Sequence, residues 1–302
     1  MINITSFLKS IVTVFMSLLM TFLGNLGIAT DHFDTYSAVQ YGDSLVQVMD
    51  IYVPNDAAGK SENGAILFLH DGMFNSGSRS DMKNDCRTFT NSGYITAAID
   101  YSFISQKGVS LFTMLDEITL AIQKLSDLSA EKGLNIKHLA LAGKGAGGYL
   151  AMMYAYTNAD YSAIDIEFVA AKAAPADFTP SIWQANYSDA SIANLISSLS
   201  TVTVKTEDVT NNAANVAGAV AMISPTSAVR TGKKIPTVFA YAGKDSMVPI
   251  GNKAALEDAL AAANVPNKSV YFDTSDHSMA IDMVHAAEYN NLITDYCNQY
   301  FK

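Results

Sequence analysis

Residues 136–156 constrain this chain more than any other stretch. Ile136 to Ala142 is a short apolar run that reads as a strand buried on both faces. Gly143, Gly145, Gly147 and Gly148 then make a tight turn, and Tyr149 to Tyr156 reads as a helix. A strand that turns sharply into a helix must pack that helix back on a sheet, so the segment commits the chain to an α/β architecture.

The rest of the sequence follows the same alternation. Asp34 to Tyr41 and Leu45 to Val53 alternate and are rich in Val, Ile and Tyr; Gly42-Asp43-Ser44 between them predicts a hairpin. Ala65 to Leu69 and Tyr94 to Tyr101 are buried strands, with a helix predicted over Ser78 to Ser92. Met114, Leu115, Ile118, Ile122 and Leu125 recur at helical spacing within a long helix over Leu111 to Lys132. Strands follow at Phe168 to Ala173, Pro236 to Ala242 and Lys268 to Phe272, with helices over Lys253 to Ala263 and Met279 to Tyr300. The rhythm breaks only at residues 177–218, rich in Ser, Thr, Asn and Ala and holding the sole tryptophan, Trp183. That stretch reads as small helices inserted over the sheet edge, a cap whose Trp183 and Tyr187, with Tyr101, are candidates to line a ligand cleft, packing being the more frequent use of aromatics in such inserts.

With 49% hydrophobic and 16% charged residues among 302, the chain has material for one large core and no extended disordered tract. A net charge of −10 with no Lys/Arg cluster argues against nucleic acid and against electrostatic docking on anionic lipid. The two cysteines, Cys86 and Cys297, are too few for a disulfide framework; they read as separate buried thiols, one bridge being the alternative. His32, His138 and His285 have no partners at metal-ligand spacing, and no cofactor is implied.

The N-terminus carries Lys9, then the apolar run Ile11 to Leu23, then Gly27-Ile28-Ala29, which offers the small residues Gly27 and Ala29. This is the layout of a secretory signal over residues 1–29, with an uncleaved membrane anchor as the alternative. Either places one domain, residues 30–302, outside the cytoplasm, with membrane contact only through this segment.

From about Thr35 onward the chain resembles the α/β-hydrolase fold, and within it bacterial carboxylesterases with an H-G-G-type oxyanion loop, the group that includes acetyl-xylan and feruloyl esterases. Four landmarks carry the likeness in the order that fold uses: His70-Asp71-Gly72 for the oxyanion loop, Gly143 to Gly147 for the nucleophile elbow, Gly243 to Pro249 for the loop of the triad acid, and Asp276-His277-Ser278 for that of the histidine. The resemblance implies a mostly parallel sheet of about eight strands with helices on both faces. It also implies a small-molecule ester or carbohydrate-like ligand, Asp245 as acid, His277 as base, and an oxyanion hole from Ala146 N–H and an N–H of Asp71-Gly72.

Three positions depart from that pattern. Gly145 stands where the nucleophilic serine belongs, so no hydroxyl can attack. Asp71 puts a carboxylate where negative charge must develop, and Lys144 precedes the lost nucleophile. The three changes predict an Asp71–Lys144 ion pair plugging the pocket, with His70 bracing the loop. They point to a relative of secreted esterases that binds a ligand or partner without turning it over. The alternative is an active esterase with a nucleophile outside the elbow, for which Ser76, Ser78, Ser246 and Ser278 lie on suitable loops, while Lys144 offers an amine.

Overall fold

The computed structural model describes residues 32–302. The expected leader lies outside the described residues. Among them, no helix is long and apolar enough to cross a membrane.

The eight strands form one sheet in the order β1-β2-β4-β3-β5-β6-β7-β8. β1 (Phe33–Gln40) and β2 (Val48–Pro54) are the predicted antiparallel pair, and β2 joins β4 (Ile95–Ile99) antiparallel as well. β3 (Asn63–Leu69), β4, β5 (Ile136–Lys144), β6 (Asp165–Lys172), β7 (Thr237–Ala242) and β8 (Asn267–Phe272) run parallel. The central strands are continuous apolar runs because helices cover both of their faces.

Period-2 alternation divides the core in two. Leu67, Leu69, Leu139, Leu141, Val169 and Ala171 face one side, packed against α2 (Leu111–Lys132) and α3 (Ala146–Thr157). Phe68, Ala140, Ala142, Phe168 and Ala170 face the other, packed against α1 (Lys83–Asn91) and α10 (Met283–Tyr300). Cys86 of α1 and Cys297 of α10 lie in this second core as free buried thiols. The closing helix starts at Met283, later than the predicted Met279; residues 279–282 instead form the end of the loop that carries His277, with Asp282 capping the helix at His285 N–H.

After β6 come four small helices: α4 (Pro180–Trp183), α5 (Asp189–Ser200), α6 (Thr206–Thr210) and α7 (Ala214–Ile223). The last continues past Gly218, because Val216, Ala219, Val220 and Ile223 keep burying one helical face. α8 (Pro225–Thr231) packs on α3, and α9 (Gly251–Ala262) packs on α8. Edge-to-face contacts Phe74–Tyr149 and Tyr149–Phe178, then the stacked pair Phe178–Trp183, run from the loop after β3 through α3 to the small helices. This fixes the insertion over the C-terminal ends of the strands, where open α/β sheets bind ligands.

Candidate active site

The turn between β5 and α3 is built around close backbone approach. A Cβ on Gly143 would lie 2.4 Å from the carbonyl carbon of Gly147, and one on Gly147 would lie 2.0 Å from Leu69 O. These glycines let α3 start directly on the sheet. Gly145, at the tip, has φ 52° and ψ −120°, a conformation that strains any L side chain and that glycine adopts freely. Its N–H donates to Lys172 O at 2.8 Å, which anchors the tip to β6.

Three loops converge on this tip. From the loop after β7, Asp245 Oδ1 accepts hydrogen bonds from Met247 N–H and Val248 N–H at 2.8 and 2.9 Å, while its Oδ2 meets His277 Nδ1 at 2.8 Å. From the loop after β3, Asp71 Oδ2 meets His277 Nε2 at 2.9 Å. Asp71 Oδ1 accepts from Gly72 N–H at 2.7 Å and Ala146 N–H at 3.2 Å. The carboxylate of Asp71 also occupies the side-chain space of residue 145: a Cβ there would sit 2.0 Å from Asp71 Oδ1 and 2.3 Å from its Cγ. The loop holding Asp71 is itself strained, with Met73 and Phe74 at φ 52° and 64°.

His70 is fully buried, stacks on Tyr101 at 4.2 Å between ring centroids, and donates from Nδ1 to Asp71 O at 2.6 Å. Tyr101 O–H in turn donates to His70 O at 2.7 Å. Of the two roles open to Tyr101, packing and lining a cleft, the structure gives it packing: it is a buried brace of this loop, because β4 delivers it beneath the loop instead of above it. Trp183 and Tyr187 do line a cavity, a small apolar one of about 70 Å³ beside Asp71, Gly145 and His277.

Electrostatics follow from this geometry. Burial alone would push the His277 imidazole down, but the hydrogen bonds to Asp245 and Asp71 outweigh it and hold its pKa up at about 9. Burial would raise the Asp71 carboxyl; the His277 hydrogen bond, with those from Gly72 and Ala146, brings it down to about 2. At neutral pH the site is an imidazolium between two carboxylates. The His277 imidazole is already protonated, and the N–H groups of Gly72 and Ala146 are already occupied by Asp71.

The expected Asp71–Lys144 pair is absent. Lys144 follows Ala140 and Ala142 in the alternation of β5, so its side chain leaves the sheet toward α1 and α10, while the Asp71 carboxylate lies over Gly145 and on His277. His277 takes the place assigned to Lys144. The loop serines do not engage the base either: Ser76 O–H donates to Gly72 O, Ser78 pairs with Ser80, Ser278 O–H donates to Asp276, and both nitrogens of His277 are taken by carboxylates. His138 pairs with Glu167, and His285 with Asp282. Among the described residues, no group of three or more His, Cys, Asp or Glu could hold a metal ion.

The Asp71–His277 contact was not anticipated, though a signal existed. A side chain gained at position 71 and one lost at position 145 are complementary in volume. Lys172 was also passed over, although it occupies in β6 the place that Lys144 occupies in β5.

The BD-FAE family model matches residues 49–260. No curated protein matches the sequence. Among solved structures, esterase B from Lactobacillus rhamnosus superposes with a TM-score of 0.68 at 18% identity, covering 95% of this chain and 93% of that one. A thermophilic esterase from Thermogutta terrifontis gives 0.66 at 17% identity, over 89% and 92% of the two chains. A truncated carbohydrate esterase from gut microbiota gives 0.71 at 14% identity, over 91% and 99%.

Proposed function

The chain belongs to the BD-FAE family and has an esterase-like α/β-hydrolase fold, and on that premise we propose that it is a disarmed member that binds a ligand or partner at its former ester site. One observation carries the reading: the Asp71 carboxylate stands in the side-chain space of residue 145, on the oxyanion-hole N–H groups and on His277 at once. It sits in the site as the carboxylate product of ester cleavage would, but tethered to the chain. Direct attack by this carboxylate on an ester would yield an acid anhydride, a less stable acyl compound than the ester itself, so Asp71 does not replace the serine. The apolar cavity beside it suits a small acyl or aromatic group, and esters borne on carbohydrate are the ligands to test first. The leader signal supports action outside the cytoplasm.

Hydrolysis of p-nitrophenyl acetate by the full chain tests this. The wild type should be silent. Gly145→Ser alone should stay silent, because its side chain collides with Asp71. Gly145→Ser with Asp71→Gly should gain turnover that His277→Ala removes. Turnover by the wild type that His277→Ala abolishes would refute the proposal.

A further inference from the structure

On the other side of the Asp71 loop lies a larger cavity, about 420 Å³, in the size range of small-molecule sites. Its floor is the ends of β5 and β6; its walls are Met82, Asp85 and Phe89 from the α1 side and Tyr289, Asn290 and Ile293 from α10. Asp71 and Asp81 also border it, but both carboxylates already have partners, Asp71 on His277 and the Gly72 and Ala146 N–H groups and Asp81 on Ser78 N–H. The sequence pattern dictates what points into it. Ala140, Ala142 and Lys144 share one face of β5, and Phe168, Ala170 and Lys172 share the same face of β6. The two strands are parallel with Lys144 opposite Lys172, so two lysines emerge side by side where helix cover gives out.

Neither lysine is satisfied. Among the described residues, Lys144 and Lys172 make no ion pair or side-chain hydrogen bond; Lys172 Nζ only lies over the Phe272 ring at 5.6 Å. Asp85, Tyr289 and Asn290 face the same space with no side-chain partner on another residue. Burial lowers the Lys172 pKa, and Lys144 lowers it further against the opposing pull of Asp85. Burial raises that of Asp85, against the pull of both lysines. Half-buried charges left this way cost stability unless something completes them.

The groups select the missing piece. Two adjacent ammoniums call for an anion. Asp85 repels a bare inorganic anion but accepts hydrogen bonds from hydroxyls, as does the Asn290 amide. A neutral sugar would leave both lysines unpaired. We propose that this cavity binds a small polyhydroxylated carboxylic acid of the uronic-acid type, its carboxylate between Lys144 and Lys172 and its hydroxyls on Asp85 and Asn290. The two cavities share Asp71 in their walls, but Lys144, Lys172, Asp85 and Asn290 take no part in the disarmed centre, and the proposal does not require that reading to hold.

Calorimetric titration of the full chain with galacturonate, galactose and sulfate tests it. Galacturonate should bind with a Kd of about 1 mM or tighter, and galactose and sulfate each at least roughly tenfold more weakly. Lys144→Gln and Lys172→Gln should each weaken galacturonate by roughly tenfold, and Asp85→Asn should narrow the gap between galacturonate and sulfate. Melting curves establish that each variant is folded; should Lys172→Gln not fold, Lys144→Gln alone decides. No binding up to ~20 mM, equal binding of galactose or sulfate, or lysine variants with unchanged affinity would each overturn the proposal.

Discussion

The two sides of the Asp71 loop handle charge in opposite ways. Toward Gly145, each charged group is paired: Asp71 and Asp245 share His277, and their remaining oxygens accept four backbone N–H bonds. Toward α1 and α10, Lys144 and Lys172 share a cavity with Asp85, and among the described residues none of the three forms an ion pair. On the proposed reading, a catalytic layout becomes a structural one when its anion is supplied from within. Polarity that a fold cannot satisfy internally is the better pointer to an outside ligand.

The sharpest way to break this contrast is to remove the internal anion. Asp71→Gly with Gly145→Ser should raise p-nitrophenyl ester turnover on the order of 10²-fold or more over the wild type, since triad and oxyanion hole are then both available. Unchanged turnover would mean that the site lost more than these two groups.

Removing the central cation should cost most in stability. His277→Gln leaves two carboxylates facing each other without the positive charge between them and should lower unfolding free energy by roughly 3 kcal/mol in denaturant titrations at pH 7. Lys172→Met on the other side should change it by about 0.5 kcal/mol or less, or raise it. Similar losses at both positions would erase the distinction between the two sides.

The pH dependence has a definite sign. His277 is raised from 6.5 to about 9 by folding, so its contribution is complete below pH 6.5 and disappears as pH climbs through 9. Asp71 is lowered from 3.8 to about 2, so its contribution is complete above pH 3.8 and disappears as pH falls through 2. Stability measured between pH 6.5 and 9.5 should therefore fall by on the order of 2 kcal/mol in the wild type, and the fall should be absent from His277→Gln.

A smaller effect sharpens the volume argument. Gly145→Ala should destabilise by about 2 kcal/mol through backbone strain and collision with Asp71. In an Asp71→Gly background only the strain remains, about 1 kcal/mol. Equal costs in the two backgrounds would mean that Asp71 does not fill the space at residue 145.

Much of this was legible in the residues. Continuous apolar runs such as Ala65 to Leu69 announce strands covered on both faces, and the 3.6-residue recurrence from Met114 to Leu125 announces α2, which runs over Leu111–Lys132 as predicted. The elbow was legible from Gly143 and Gly147, because so close an approach of helix to sheet admits nothing larger. The role of Tyr101 was not legible, since burial beneath a loop depends on how that loop folds back. Nor was the partner of Asp71: strand parity sends Lys144 away from it, and His277 lies 206 positions along the chain.

What the sequence by itself determined is the alternation of strands and helices, the order of the loops at the strand ends, and the absence of a nucleophile at position 145. These depend on local periodicity and residue identity, which short stretches of chain carry. Only the tertiary structure decided which charges meet. Pairing across loops depends on side-chain direction and on distances of a few ångströms between segments remote in sequence. That is why the Asp71 carboxylate came to rest on His277 and the N–H groups of Gly72 and Ala146, while two lysines from adjacent strands remained without an ion pair.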